Sequence, residues 1–384
     1  MEIKTFFAFH SFELAYLAVL AVLPFIAAIR IVATTLIGAG LFLGFITLLR
    51  KLTYKTIDID GQAVVISGCD TGKCVDIDGQ AVVISGCDTG FGHALAKRLE
   101  GLGFTVIAGC LDDKSEGAEV LKSWSNTGRI HVVLLDVCSD TSVQNLVEYA
   151  KKNSPKGVWA LVNNAAVNFL GELELCTMQQ FKDIAEVNQF GVIRMTKAFL
   201  PLLRKSKGRV VNVTSAKGRI SLPRNSVYGA TKYAIEAFSD VLRLEMRKFG
   251  VKVSIIEPGD FGGTTGMLST KSLAWLKDQL DLMWKSAEEE VRGAYGKEYC
   301  DAIYTGTLGA AKDAAKSIMP VIDAMEDAIV STGPRLRYLV DGSSKLIDMN
   351  HWLIRIGWFI PESWIDAIVD FKDNRGLPKV AAAH

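Results

Sequence analysis

AVVISGCDTGFGHALAKRLEGLG, residues 81–103, reads as a strand, a glycine loop and a helix in succession. Residues 81–85 form a short apolar run that reads as a buried strand. Glycines follow at 86, 90 and 92, and residues 91–102 then carry Ala94, Leu95 and Leu99 on one helical face. Strand, glycine loop and helix together offer free backbone N–H groups and a positive dipole end to a pyrophosphate. The spacing is G-x-x-x-G-x-G, not G-x-G-x-x-G. A glycine triad alone would read as a flexible turn, but the flanking strand and helix argue for the phosphate loop.

The same alternation continues outward. Strand-like runs occur at 104–109, 131–137, 158–164, 209–215 and 251–259. Helical patterns fall at 120–124, 141–152, 178–204 and 226–248. Continuous β-branched runs separated by amphipathic helices predict an α/β fold, a doubly wound parallel sheet of Rossmann type. Its ligand is expected at the carboxyl ends of the strands.

Before this region, DIDGQAVVISGCDTG stands at 58–72 and again at 76–90, with no third copy. Only the second copy runs on into a helix. Residues 58–75 are therefore expected outside the main sheet. Further upstream, 14–29 and 31–49 are apolar runs separated by Arg30. At ~1.5 Å per residue the second run spans roughly 28 Å, the thickness of a bilayer core. It reads as an N-terminal membrane helix, with the first run as a second span or an interfacial helix. Arg50, Lys51 and Lys55 place the remainder on the cytosolic side. The expected organisation is an anchor over 1–55, a linker over 56–75, a dinucleotide-binding catalytic domain over 76–260 and a substrate-covering region over 261–384.

The 384 residues carry 43 basic and 42 acidic side chains, and 49% are apolar. This balance argues against nucleic acid as a partner and against disorder. Seven cysteines without a C-x-x-C pair and five scattered histidines argue against a metal site.

Cofactor choice is read after the second strand. An acid there suits a ribose diol, whereas a 2′-phosphate needs a base. Asp112 and Asp113 stand there, and Lys114 is the first base, which favours NAD over NADP. Either acid also fits a solvated turn. Asp136 is a candidate for the adenine pocket, or a helix cap.

Tyr228 and Lys232 stand four apart on one helix face. A secondary alcohol yields hydride only if its hydroxyl proton also leaves. A phenol is a poor base at neutral pH unless a cation stabilises the phenolate. Lys232 supplies one, and Ser215, thirteen residues before Tyr228, is placed to hold the substrate oxygen.

Residues 79–259 resemble the short-chain dehydrogenase/reductase family. The loop 85–92, Asn163-Asn164-Ala165, Asn188, Ser215, Tyr228, Lys232, Pro258 and Gly259 fall in its order and spacing. The resemblance implies Tyr228 as acid/base, Ser215 orienting the substrate oxygen, and Lys232 lowering the phenol's pKa and binding the nicotinamide ribose. It also implies that Asn188 holds a relay water. Gly86, Asp88, Gly90, Phe91, Gly92, Asp112, Asp136, Asn164, Tyr228, Lys232, Pro258 and Gly259 form the implied cofactor site. GCDTGFG, RMTKAFLPLLR and VKVSIIEPGDF resemble a branch containing D-3-hydroxybutyrate dehydrogenase, estradiol 17β-dehydrogenase type 2 and the retinol dehydrogenases. Three departures stand out. Ala166 replaces a glycine, Ser85 a threonine, and Gly263 stands where a threonine is usual.

The resemblance and the anchor together imply a membrane-bound NAD enzyme for a lipophilic alcohol or ketone of steroid or retinoid type. The endoplasmic reticulum is the expected membrane and the mitochondrion the alternative, with membrane lipid as a partner. Related enzymes form dimers or tetramers, which implies a homo-oligomer. A short hydroxy acid is the rival substrate, with Lys217, Arg219 and Arg224 as a cationic pocket or as solvated loop charges. A non-catalytic dinucleotide-binding scaffold is the other alternative. Trp275, Met283 and Trp284 line a substrate pocket or form ordinary core. The segment 351–371, with three tryptophans, lies at a membrane interface or closes the substrate mouth.

Overall fold

Apolar runs alternating with amphipathic segments build a parallel sheet covered by helices on both faces. The computed structural model describes residues 79–125, 127–310, 313–345, 347–375, 377, 378 and 380. It also describes Val22, Arg30, Thr34, Thr35, Ile37, Gly38 and residues 40–45. The chain divides into two compact units, Met1–Val65 and Ile66–His384. In the first, the described residues are helical, and Thr34 donates its hydroxyl to the Arg30 carbonyl at 2.9 Å. Of the expected membrane helix at 31–49 ten residues are described, all helical, and of the run before it only Val22; 58–75 lies wholly outside the described residues. Among the described residues no helix is long and apolar enough to cross a membrane.

In the second unit the strands are β1 (Ala81–Ser85), β2 (Thr105–Cys110), β3 (Ile130–Leu134), β4 (Ala160–Asn163), β5 (Arg209–Val213), β6 (Lys252–Pro258) and β7 (Arg337–Val340). Their order is β3-β2-β1-β4-β5-β6-β7, and every pair is parallel. The second repeat copy supplies β1, with Val83 facing Ile107 in β2 and Leu161 in β4. The strand order reverses between β1 and β4, which opens the crevice above their carboxyl ends.

The helices are α1 (Gly90–Gly101), α2 (Glu116–Trp124), α3 (Asp140–Asn153), α4 (Met178–Ala185), α5 (Val192–Ser206), α6 (Ser226–Met246), α7 (Thr270–Ser286), α8 (Glu289–Tyr295), α9 (Lys297–Ala310), α10 (Met319–Val330), α11 (Met349–Ile356) and α12 (Glu362–Asn374). Leu95 and Leu99 of α1, Leu121 of α2 and Met325 of α10 cover one sheet face. Leu146 of α3, Phe199 of α5 and Leu242 of α6 cover the other. Arg98 binds Glu326 at 2.6 Å and ties α1 to α10.

Two features depart from the sequence pattern. The helix expected over 178–204 contains a π-helical segment, Glu186–Gly191, between α4 and α5. β7 is an added edge strand of four residues, too short to show a period. The 351–371 stretch breaks into α11 and the start of α12, leaving Trp358 and Phe359 87% and 82% exposed.

Leu99 is fully buried between α1 and the sheet. Leu99→Ala is expected to cost about 2–5 kcal/mol in urea unfolding. Leu244→Ala, at an exposed site on α6, should stay within about 0.5 kcal/mol.

Candidate active site

The loop between β1 and α1 is shaped by what its glycines touch. A Cβ on Gly92 would lie 2.3 Å from the Gly86 carbonyl oxygen. Gly86 has φ +73°, and a Cβ there would lie 2.8 Å from Ala165 Cα. Asn164 holds the loop from β4, donating Nδ2 to the carbonyls of Ser85 (3.0 Å) and Gly86 (2.9 Å). Ser85 Oγ accepts the N–H groups of Asn164 and Ala165, both at 3.1 Å. Thr89, the residue before α1, makes no side-chain cap, and the first turn carries no acid. Its free N–H groups and dipole suit an anion. A glycine cradle that one methyl would fill, below an uncapped helix start, fits a dinucleotide pyrophosphate.

The other expected cofactor residues take distinct places. Asp88 accepts the N–H groups of Leu111 (3.0 Å) and Asp112 (3.2 Å), so it shapes the turn after β2. Asp112 accepts Lys114 N–H at 2.9 Å. Lys122 reaches the same turn, and its ammonium is held by the Asp113 carbonyl and Glu119. Asp136 accepts Cys138 N–H at 2.9 Å, while Ser139 caps α3. Phe91 packs edge-on against Phe261, 5.6 Å between ring centres. Gly259 bonds the Val340 carbonyl at 2.9 Å, which fixes the loop beyond β6.

Ser215, Tyr228 and Lys232 come together between the end of β5 and the start of α6. All three are buried. Ser215 stands beside the Tyr228 phenol and donates Oγ to the Pro258 carbonyl at 3.4 Å, while Lys232 Nζ lies 5.4 Å from the phenol ring centre. Lys232 donates to the Val213 carbonyl at 3.2 Å. Burial pushes the phenol up to about 12, and the neighbouring Ser215 hydroxyl acts in the opposite direction. Burial likewise pulls the Lys232 ammonium down to about 8, and Glu236 opposes this. Desolvation thus works against both ions, so ionisation of Tyr228 depends on the cation beside it.

Asn188 lies in the π-helical segment, a distortion that often marks functional sites. It accepts Val167 N–H at 2.8 Å and donates to Val167 O (2.9 Å) and Thr231 Oγ1 (3.3 Å), the residue before Lys232.

The Tyr228 ring shares an apolar cluster with Phe169, Val227 and Met283. Trp275 stacks edge-on to Phe169 at 6.3 Å, and Trp284 packs against the cluster. The three loop cations differ. Arg219 is paired with buried Glu257 at 2.9 Å. Arg224 donates to Asn374 Oδ1 (2.7 Å) and the Asp373 carbonyl (2.8 Å). Lys217 Nζ instead faces the Tyr228 ring at 5.5 Å, where burial lowers its pKa. Sequence reasoning missed Thr214, Glu236 and Glu257; the four-residue step from Lys232 to Glu236 was the available signal. Hollows of about 630 and 490 Å³ on the outer faces of α3, α5 and α4, α6 contain none of the proton-transfer groups.

The short chain dehydrogenase family profile matches residues 80–274. The chain is 42% identical over 294 residues to the mitochondrial D-beta-hydroxybutyrate dehydrogenase of Rattus norvegicus, covering 75% of this chain and 79% of that protein. It is 37% identical over 331 residues to 17-beta-hydroxysteroid dehydrogenase type 6 of Homo sapiens, covering 85% and 92%. A short-chain dehydrogenase structure from Streptomyces avermitilis superposes with TM-score 0.57 at 25% identity, covering 76% of this chain and 96% of that one.

Gly92→Ala is expected to weaken NADH binding by roughly tenfold or more in a fluorescence titration, since the methyl closes the cradle. Unchanged affinity in a folded variant would remove the loop from the cofactor site.

Proposed function

This chain belongs to the short-chain dehydrogenase family, and on that premise we propose that it moves a hydride between NAD and a secondary alcohol or ketone. One observation carries the reading: a buried phenol with Ser215 beside it and the Lys232 ammonium 5.4 Å from its ring centre. Ser215 holds the carbinol oxygen. Tyr228 takes the hydroxyl proton as the carbon gives up its hydride, and Lys232 stabilises the phenolate. Asn188 supports a proton path from Lys232 to solvent. The nicotinamide ring, when bound, supplies the hydride acceptor. Gly86, Gly90 and Gly92 leave room for the pyrophosphate, and Asp112 and Asp113 standing after β2 ahead of the first base, Lys114, support NAD. Such a relay has no use in a non-catalytic scaffold.

The apolar cluster around Tyr228 supports a lipophilic substrate of steroid or retinoid type. Membrane attachment supports the same reading. The 31–49 run is apolar, and exposed Trp358, Phe359, Trp364 and Phe371 suit a bilayer interface. Arg50, Lys51 and Lys55 support a catalytic unit on the cytosolic side, and the endoplasmic reticulum is the membrane we propose. A mitochondrial membrane is the second location, in keeping with the rat relative's name.

A specific observation favours a second substrate, a short hydroxy acid. Lys217 is a cation beside the phenol, and a substrate carboxylate would pair with it.

NADH formation measured with estradiol, retinol and 3-hydroxybutyrate tests both. Tyr228→Phe is expected to lose about 10²–10⁴-fold in rate on the true substrate; equal turnover would exclude Tyr228 as acid/base. Lys217→Met should raise KM for 3-hydroxybutyrate roughly tenfold more than for estradiol. Equal effects on the two would remove the carboxylate role.

A further inference from the structure

Three carboxylates and two guanidinium groups meet behind the proton-transfer site. Glu236 stands on α6 one turn beyond Lys232, and Asp240 one turn beyond that. Glu257 lies in β6 beside Pro258. Glu236 and Glu257 are 5% and 1% exposed. Arg337 of β7 binds Glu236 through Nη1, and the same nitrogen donates to Glu257 at 2.7 Å. Its Nη2 donates to Asp240 at 2.5 Å. Arg219 adds a second guanidinium on Glu257.

The network reaches the catalytic strand end through one hydroxyl. Thr214 donates Oγ1 to Glu236 Oε1 at 2.5 Å. Thr214 lies between Val213, whose carbonyl receives Lys232, and Ser215.

We propose that Glu236 is a positioning residue for proton transfer. Through Thr214 it fixes residues 213–215, and as an anion held by Arg337 it keeps Lys232 charged. The inference rests on the reading of Tyr228 and Lys232 given above.

Two buried carboxylates this close cannot both stay ionised without a cation. Burial and Glu257 push Glu236 up to about 7, while Thr214 and Arg337 pull it back. The groups facing Glu236 are Lys232 and Asp240 on α6, Thr214 after β5, Glu257 on β6 and Arg337 on β7. Those facing Lys232 are Glu236, Tyr228 and, across the phenol ring, Lys217. Of these, Glu236 is the anion that favours the ammonium.

Removing the Glu236 charge lowers the proton affinity of Lys232, so the cation is lost at lower pH. The Tyr228 phenolate then loses its support from the alkaline side. The test is the pH profile of NADH formation from the preferred alcohol by the full chain. Glu236→Gln is expected to move the alkaline limb of kcat down by roughly one pH unit, with KM changing less than about threefold. Thr214→Val strips Glu236 of a donor with little change of shape, and should move the limb the same way by less. Glu257→Gln relieves the repulsion and should leave the limb in place or raise it. Melting temperature and NADH affinity report folding; if Glu236→Gln does not fold, Thr214→Val carries the test. A limb unmoved in Glu236→Gln and Thr214→Val, or moved equally by Glu257→Gln, overturns the proposal. Wild type inactive on every alcohol would instead overturn the functional reading itself.

Discussion

An ammonium buried beside a phenol is the constraint on which this structure turns. Water would stabilise the charge on Lys232, but the side chain is buried, and burial favours the neutral amine. The protein replaces the lost hydration with the Val213 carbonyl and the nearby carboxylate of Glu236. Both come from framework elements. The carbonyl ends β5, and the carboxylate sits on the helix that carries Tyr228 and Lys232. Sheet register and helix placement therefore set the chemistry.

The same economy holds at the cofactor loop. β1 and β4 pair in parallel, which brings Asn164 alongside residues 85 and 86. One amide donates to two carbonyls at a tight turn. Ser85 accepts two N–H groups from the other side. The hydroxyl retained in place of the usual threonine accounts for this. Ala165 packs against Gly86, while the N–H groups of α1 stay free of side-chain caps.

Much of this was legible in the sequence because it is local. Apolar runs bounded by glycines located β1 to β6, and the four-residue step from Tyr228 to Lys232 needed only a helix. β7 escaped because RYLV is too short for a period and pairs with residues about eighty positions earlier. The π-helical turn around Asn188 keeps the amphipathic stripe of an α-helix and leaves no mark in the pattern. The three cations after Ser215 looked alike in sequence. Long-range partners separate them, Glu257 for Arg219 and α12 for Arg224, with Lys217 turned to the phenol. Buried Glu236 was hidden for the same reason, since its guanidinium partner stands 101 residues away.

That distance bears on synthesis. The residues that handle the proton leave the ribosome early, whereas the guanidinium of β7 follows about a hundred residues later. Until then Glu236 and Glu257 lack one of their compensating charges. The electrostatics behind the proton-transfer site are complete only once Arg337 is added at the sheet's edge.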